Sequence, residues 1–148
     1  MFMSQRLSRL ALVGLLCSSL VVSACDDDNT DPPTTPSPTT ESVTWSTNLA
    51  RGGATSRSFK TTRTGTVSVT LQALGASTTM RAGLGVGIPL GDGSGCVLSR
   101  SVETTPGSTA QLELSIDSGD YCVQVYDLGE LSQPVSFTVL LVYPIATT

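Results

Sequence analysis

The chain has 148 residues, and its 12 acidic and 8 basic side chains give it a formal net charge of −4. It contains no histidine, which excludes histidine metal sites, Ser-His-Asp triads and Cys-His dyads. Because the sequence has no basic patch to neutralise phosphates, nucleic acid is not an expected partner.

The N-terminus has the layout of a secretory signal peptide. Arg6 and Arg9 precede an apolar run over residues 10–22, and small residues follow it up to Cys25. The apolar run is shorter than the roughly 20 residues that a membrane-spanning helix needs. We therefore expect residues 1–24 to be a signal that is removed on export.

The last residues of this segment, Val22-Ser23-Ala24-Cys25, resemble the lipobox of bacterial lipoproteins. The resemblance implies cleavage before Cys25 and acylation of its thiol and new amino group, which would attach the protein to a bacterial cell membrane by lipid. An ordinary secretory cut near Ala24 is the alternative. Residues 26–28 are three aspartates, which in enteric bacteria resemble a signal for the inner membrane and in other lineages accompany export to the surface. The membrane and leaflet therefore stay open.

A linker is predicted over residues 25–42. This segment is acidic and rich in proline and threonine, and it offers no apolar side chain for burial. Such a composition favours an extended polyproline II spacer between the lipid and the domain that follows.

Residues 43–148 show the alternation of apolar and polar side chains that half-buried strands require. Clusters of glycine, aspartate, serine and proline separate these stretches as turns. We predict an all-β fold, a single antiparallel β-sandwich of 7–9 strands, without helices. Its named strands cover residues 43–49, 57–62, 66–74, 84–86, 111–116, 121–126 and 135–142.

The strand over residues 65–71, the Gly-x-Tyr-x-Val-x-Val segment of residues 119–125 and the terminal strand around residues 137–139 appear in a familiar order. This order resembles the bacterial pre-peptidase C-terminal (PPC) domain, a small jelly-roll-like sandwich. The resemblance implies a non-catalytic accessory or binding role, with no fixed ligand and no cofactor.

Two cysteines are left for the exported domain. Cys17 would leave with the signal and Cys25 would carry lipid, so Cys96 and Cys122 are predicted to form a disulfide under oxidising conditions. Cys122 alternates with Tyr121 and Val123, which predicts that the disulfide lies on the outer face of its sheet.

Catalytic and metal signals are weak. Asp92, Asp117 and Asp120 are the best candidates for a calcium site, but each lies in a predicted turn where local hydrogen bonding accounts for an aspartate. We therefore expect no metal and no enzyme activity. Residues 83, 85 and 87 are glycines on one face of a strand, and we expect a neighbour such as Trp45 to cover them.

The primary functional hypothesis is a binding module held near the membrane. Trp45, Tyr126 and Tyr143 are the candidate contacts for a glycan or an envelope protein, because aromatic rings stack on sugars and anchor protein interfaces. The alternative is a structural or assembly subunit of an envelope complex that has no small ligand. A hydrolase is a distant third.

Overall fold

The computed structural model describes residues 39–147, so the predicted signal, Cys25 and most of the predicted linker lie outside the described residues. None of the described residues belongs to a helix long and apolar enough to cross a membrane. The described chain forms eight strands: β1 (Thr40–Leu49), β2 (Ala54–Thr61), β3 (Gly65–Leu74), β4 (Ala82–Pro89), β5 (Cys96–Thr104), β6 (Leu112–Ile116), β7 (Gly119–Tyr126) and β8 (Val135–Pro144).

These strands form two antiparallel four-stranded sheets, which confirms the predicted β-sandwich. The first sheet has the order β1-β8-β3-β6, and the second has the order β2-β7-β4-β5. From β1 to β4 and from β5 to β8, each strand lies in the opposite sheet from the strand before it, and β4 and β5 are neighbours in the same sheet. This is the topology of a jelly roll. Strand β1 begins at Thr40 and pairs there with Pro144, so the first strand starts before the domain boundary predicted at residue 43.

Period-2 alternation accounts for most strands. In β3, Val67, Val69 and Leu71 are completely buried, and in β7 the inward Val123 and Val125 are buried to the same degree. These aliphatic side chains stand on the core side of their sheets, where removing apolar area from water is the main driving force for folding.

Strand β5 is the one strand that the sequence pattern did not name. A bulge breaks its register against β4, because Val86 pairs with Arg100 and the next residue, Gly87, pairs with Leu98. Ser99 is the extra residue, and it shifts the alternation halfway along the strand. Arg100, which lies opposite Val86, is charged and exposed, so no continuous apolar face is visible in the sequence.

Just before β6, the side chain of Gln111 forms hydrogen bonds with the backbone of β3. Gln111 accepts a hydrogen bond from the backbone N–H of Leu71 at 2.7 Å, and its amide nitrogen donates to the Leu71 carbonyl at 3.4 Å. Leu71 lies just before a bulge in the pairing of β3 with β8. The Leu71 carbonyl also accepts a hydrogen bond from the backbone N–H of Gly107 at 2.9 Å, so the buried group that depends on Gln111 is the N–H of Leu71.

Candidate functional site

A cleft of about 560 Å³ opens between the two sheets of the described domain, at the side where β5 and β6 are the last strands. Its apolar lining comes from Val86, Ile88, Leu114, Ile116 and Tyr121. Its polar lining comes from Thr64, Ser99, Ser115 and Asp117, together with the backbone at Gly87. The sandwich is thus open to solvent between the inner faces of its two sheets on this side.

Exposed apolar side chains concentrate beside this cleft. Among residues 39–147, the large hydrophobic side chains that stay exposed are Ile88 at 50%, Leu90 at 42% and Val97 at 58%. All three belong to the β4–β5 hairpin, and Ile88 lies opposite Val97 in the strand register. We call these three residues the hairpin patch. Such a concentration of apolar surface in one place is typical of a contact site rather than of random surface composition.

The disulfide predicted between Cys96 and Cys122 is present and holds this hairpin in place. Cys122 lies opposite Gly87 in the register of β7 with β4, so the disulfide reaches across β4 to the start of β5. Cys122 faces outward, as predicted, but it is only 1% exposed because the start of β5 covers it. The carbonyl oxygen of Val97 lies so close to Gly87 that no β-carbon would fit there.

The other outward glycines of β4 are covered by side chains of neighbouring strands. The ring of Tyr126 lies over Gly83, and the side chain of Leu98 lies over Gly85. The expectation that Trp45 covers these glycines is therefore wrong. Trp45 belongs to the other sheet, where it packs edge-on against Phe137 with 5.0 Å between ring centroids.

One carboxylate lines the cleft. Asp117 follows β6, and its side chain accepts a hydrogen bond from the hydroxyl of Thr64 at 3.1 Å. The buried hydroxyl of Thr61 donates to the Asp117 carbonyl at 2.8 Å and fixes the backbone of this turn. No basic side chain among residues 39–147 forms an ion pair with Asp117, although three other ion pairs occur there.

The three aromatic residues singled out in the sequence lie in three different places. Tyr126 is partly exposed on the outer face of its sheet, and Trp45 is partly buried on the inner side of β1. Tyr143 is 7% exposed and packs on Phe59 with 5.1 Å between ring centroids. Burial, helped by nearby Glu41, raises the pKa of Tyr143. The described structure therefore brings no aromatic cluster to the surface from these residues.

The three aspartates considered for calcium are also separate. Asp92 accepts hydrogen bonds from the hydroxyl and backbone N–H of Ser94, which lower its pKa. Asp120 lies 3.9 Å from Lys60 in an exposed ion pair. Within residues 39–147, no three acidic or cysteine side chains come together in a way that would hold a metal ion.

Charged side chains at the far end of β4 tie loops together. Asp127 accepts hydrogen bonds from the backbone N–H groups of Gly52, Gly129, Glu130 and Leu131, and these bonds lower its pKa. Arg81 donates to Glu130 and to Glu103 at about 3 Å. Because Arg81 precedes the first residue of β4, this cluster lies at the opposite end of the strand from the hairpin patch.

The sequence did not single out the cleft. Ile88 and Val97 flank the turn over residues 91–95, and apolar residues that close a hairpin are a usable signal for exposed hydrophobic surface. Leu114 and Ile116 were recognised only as the inward residues of β6. The partial exposure of Leu114 depends on β6 being the last strand of its sheet, which the alternation pattern does not show.

Comparisons with known proteins give likenesses of structure alone. No family model and no curated protein matches this sequence. The Yersinia pseudotuberculosis-derived mitogen is similar in structure, with 13% identity, a TM-score of 0.49, and coverage of 75% of this chain and 89% of that one. A structure from Bacillus endospore appendages, described as a novel family of disulfide-linked pili, has 11% identity, a TM-score of 0.39, and coverage of 73% and 88%. Neither likeness bears on what this chain binds.

Proposed function

We propose that this protein is a non-catalytic binding module of the bacterial cell envelope, attached by lipid on Cys25, and that the cleft between β5 and β6 is its binding site. The observation that carries this proposal is the location of Ile88, Leu90 and Val97. The exposed large hydrophobic side chains of the described chain all lie on one hairpin, beside the cleft. Covering them would release water from apolar surface and favour association.

Several features support a role without catalysis. The cleft lining has one carboxylate, the hydroxyl groups of one threonine and two serines, and the phenol of Tyr121, and the sequence has no histidine to act as a general base beside them. A glycosidase would need two carboxyl groups across a cleft, whereas Asp117 is the one acidic residue that lines this cleft. The hydroxyl of Thr64 bonds to that carboxylate, which suits a fixed polar contact in a binding site.

The binding site is tested by introducing a photo-crosslinking amino acid in cells, at position 88 in one variant and at position 44 in another. Thr44 is exposed on β1, which lies at the other side of the molecule. We expect adducts from position 88 and few from position 44. Adducts that are equally abundant at both positions, or absent at position 88, would contradict the cleft as the binding site.

The anchor is tested separately with Cys25→Ser. We expect the unaltered chain to fractionate with membranes and to incorporate a labelled fatty acid, and the variant to lose both properties. Loss of the position-88 adducts in Cys25→Ser would show that the anchor brings the module to its partner. A labelled fatty acid retained by the variant would rule out Cys25 as the lipid attachment site.

A further inference from the structure

We propose that the cleft binds an extended peptide strand of a partner protein, in which a basic residue stands beside an apolar one, and that this strand pairs with the free edge of β6. The inference rests on the proposed function, because it names the ligand of the same cleft. Three observations lead to it: the free strand edges, the apolar lining and the single carboxylate.

Two strand edges border the cleft, and they differ in how well they accept another strand. Strand β5 carries the bulge at Ser99 and the charged, exposed Arg100 next to it, both of which discourage pairing along an edge. Strand β6 pairs with β3 in unbroken register from Leu112 to Ile116. Its outer edge has no partner among the described strands, so a regular row of backbone donors and acceptors faces the cleft side.

A strand added to β6 would direct alternate side chains into the cleft. Leu114 of β6 is only partly buried, and Val86 and Ile88 lie on the other side of the opening. The inward side chains of the added strand would therefore be apolar, and its backbone would supply the hydrogen bonds. Affinity from backbone pairing and specificity from alternate side-chain pockets are the usual features of such strand addition.

Charge complementarity indicates that the bound peptide carries a basic residue beside its apolar one. Asp117 immediately follows β6, lines the cleft and has no ion-pair partner among residues 39–147. Its carboxylate is held by the Thr64 hydroxyl at the end of the proposed strand path. A lysine or arginine at the matching end of the bound peptide would pair with this carboxylate, whereas an acidic residue there would be repelled.

The test uses the chain from residue 25 onward with Cys25→Ser, two fluorescent peptides and Nile red. Each peptide alternates valine with threonine and begins with lysine in one case and with glutamate in the other, because pairing antiparallel to β6 puts the N-terminus of the peptide beside Asp117. We expect saturable binding of the lysine peptide and binding of the glutamate peptide about twofold to fivefold weaker, as for an exposed ion pair. Leu114→Asp, which puts a charge into the lining, should abolish binding of both peptides.

Two matched variants separate the charge from the strand. Asp117→Asn keeps the side-chain shape and the hydrogen bond from Thr64 and should remove the preference for lysine. Glu113→Gln removes a charge from an exposed residue of β6. Glu113 does not line the cleft, so this change should leave the preference for lysine unchanged. Circular dichroism verifies that each variant is folded.

The remaining outcomes distinguish this inference from the proposed function. Nile red that binds the unaltered chain and not Leu114→Asp, with neither peptide binding, would overturn the peptide ligand and leave the cleft as a binding site. If neither dye nor peptide binds, both proposals fall. Binding to neutral phosphatidylcholine vesicles that Val97→Asp abolishes would assign the hairpin patch to a membrane instead. Self-association in sedimentation that Leu114→Asp abolishes would assign the cleft to a second copy.

Discussion

The two open sides of the sandwich are filled in different ways. On the side of β1 and β2, aromatic rings pack between the sheets: Trp45 meets Phe137 edge-on, and Phe59 contacts both Tyr121 and Tyr143. On the side of β5 and β6, these two end strands contribute aliphatic and serine side chains to the lining, Tyr121 is the one ring that reaches it, and a cleft stays open. Large rings span the gap between two sheets, whereas short side chains at the end strands do not reach across it.

We assign different roles to the two sides: the packed rings stabilise the fold, and the cleft is the proposed binding site. The ring-packed side holds the sheets together, so the aliphatic side does not have to be closed. The exposed apolar residues beside the cleft belong to the β4–β5 hairpin. The disulfide fixes this hairpin, so its position does not depend on burying those side chains. The following predictions sharpen or break this comparison, from the largest expected effect to the smallest.

Phe137→Ala should be the most destabilising change. Phe137 is 1% exposed, and its ring is the partner of Trp45 on the ring-packed side. Removing a buried phenylalanine side chain costs about 3–5 kcal/mol, because apolar burial is lost and a cavity remains. Urea unfolding monitored by tryptophan fluorescence measures the change. A loss below that of a surface substitution would show that this side does not hold the sheets together.

Removing the disulfide should cost nearly as much. The loop it closes spans 26 residues, and chain entropy predicts a stabilisation of about 3–4 kcal/mol. The double variant Cys96→Ser with Cys122→Ser should lose about this much in urea unfolding. It should also lose Nile red binding at the cleft under conditions where it is still folded. Unchanged dye binding would show that the hairpin keeps its position without the covalent link.

Gln111→Ala should destabilise by about 1–3 kcal/mol, the cost of leaving a buried backbone group without a partner. The side-chain oxygen of Gln111 accepts the hydrogen bond from the backbone N–H of Leu71, a residue with no exposed surface. Gln72→Ala, at an exposed position of β3 next to Leu71, is the matched control and should have little effect. Equal effects of the two substitutions in thermal unfolding would contradict this role of Gln111.

Asp127→Asn should change how stability depends on pH. Hydrogen bonds from Gly52 and the following turn lower the pKa of Asp127 in the folded chain. Its contribution is therefore complete above the unfolded-state pKa of about 4 and is lost as the pH falls through the lower folded-state pKa. We expect a flatter decline of the melting temperature in acid for Asp127→Asn than for the unaltered chain. Asp120→Asn, in an exposed and long ion pair, should keep the original decline.

Ile88→Ser should have the smallest effect on stability, within about 0.5 kcal/mol, because half of the side chain is already exposed. Its effect on binding should be large, since it removes apolar lining from the cleft. Urea unfolding and Nile red titration on the same sample compare the two quantities. A large loss of stability with unchanged dye binding would reverse the assignment of this side as the site.

Most of the fold follows from local pattern. Alternation in β3, β6, β7 and β8 marks the inward residues correctly, and the choice of Cys96 and Cys122 follows once the other cysteines are assigned elsewhere. Strand β5 was not predicted because a bulge shifts its alternation of apolar and polar residues, and a bulge leaves no local signature in the sequence. The membrane attachment at Cys25 and the identity of the partner stay predictions.

The sequence by itself determined the fold class, the inward face of most strands and the disulfide, because each depends on the spacing of residues along the chain. The tertiary structure decided what covers each face. Tyr126 rather than Trp45 covers Gly83, and the cleft beside Ile88 exists because two end strands meet there without large side chains. Coverage depends on which distant strands become neighbours, and spacing along the chain does not encode that.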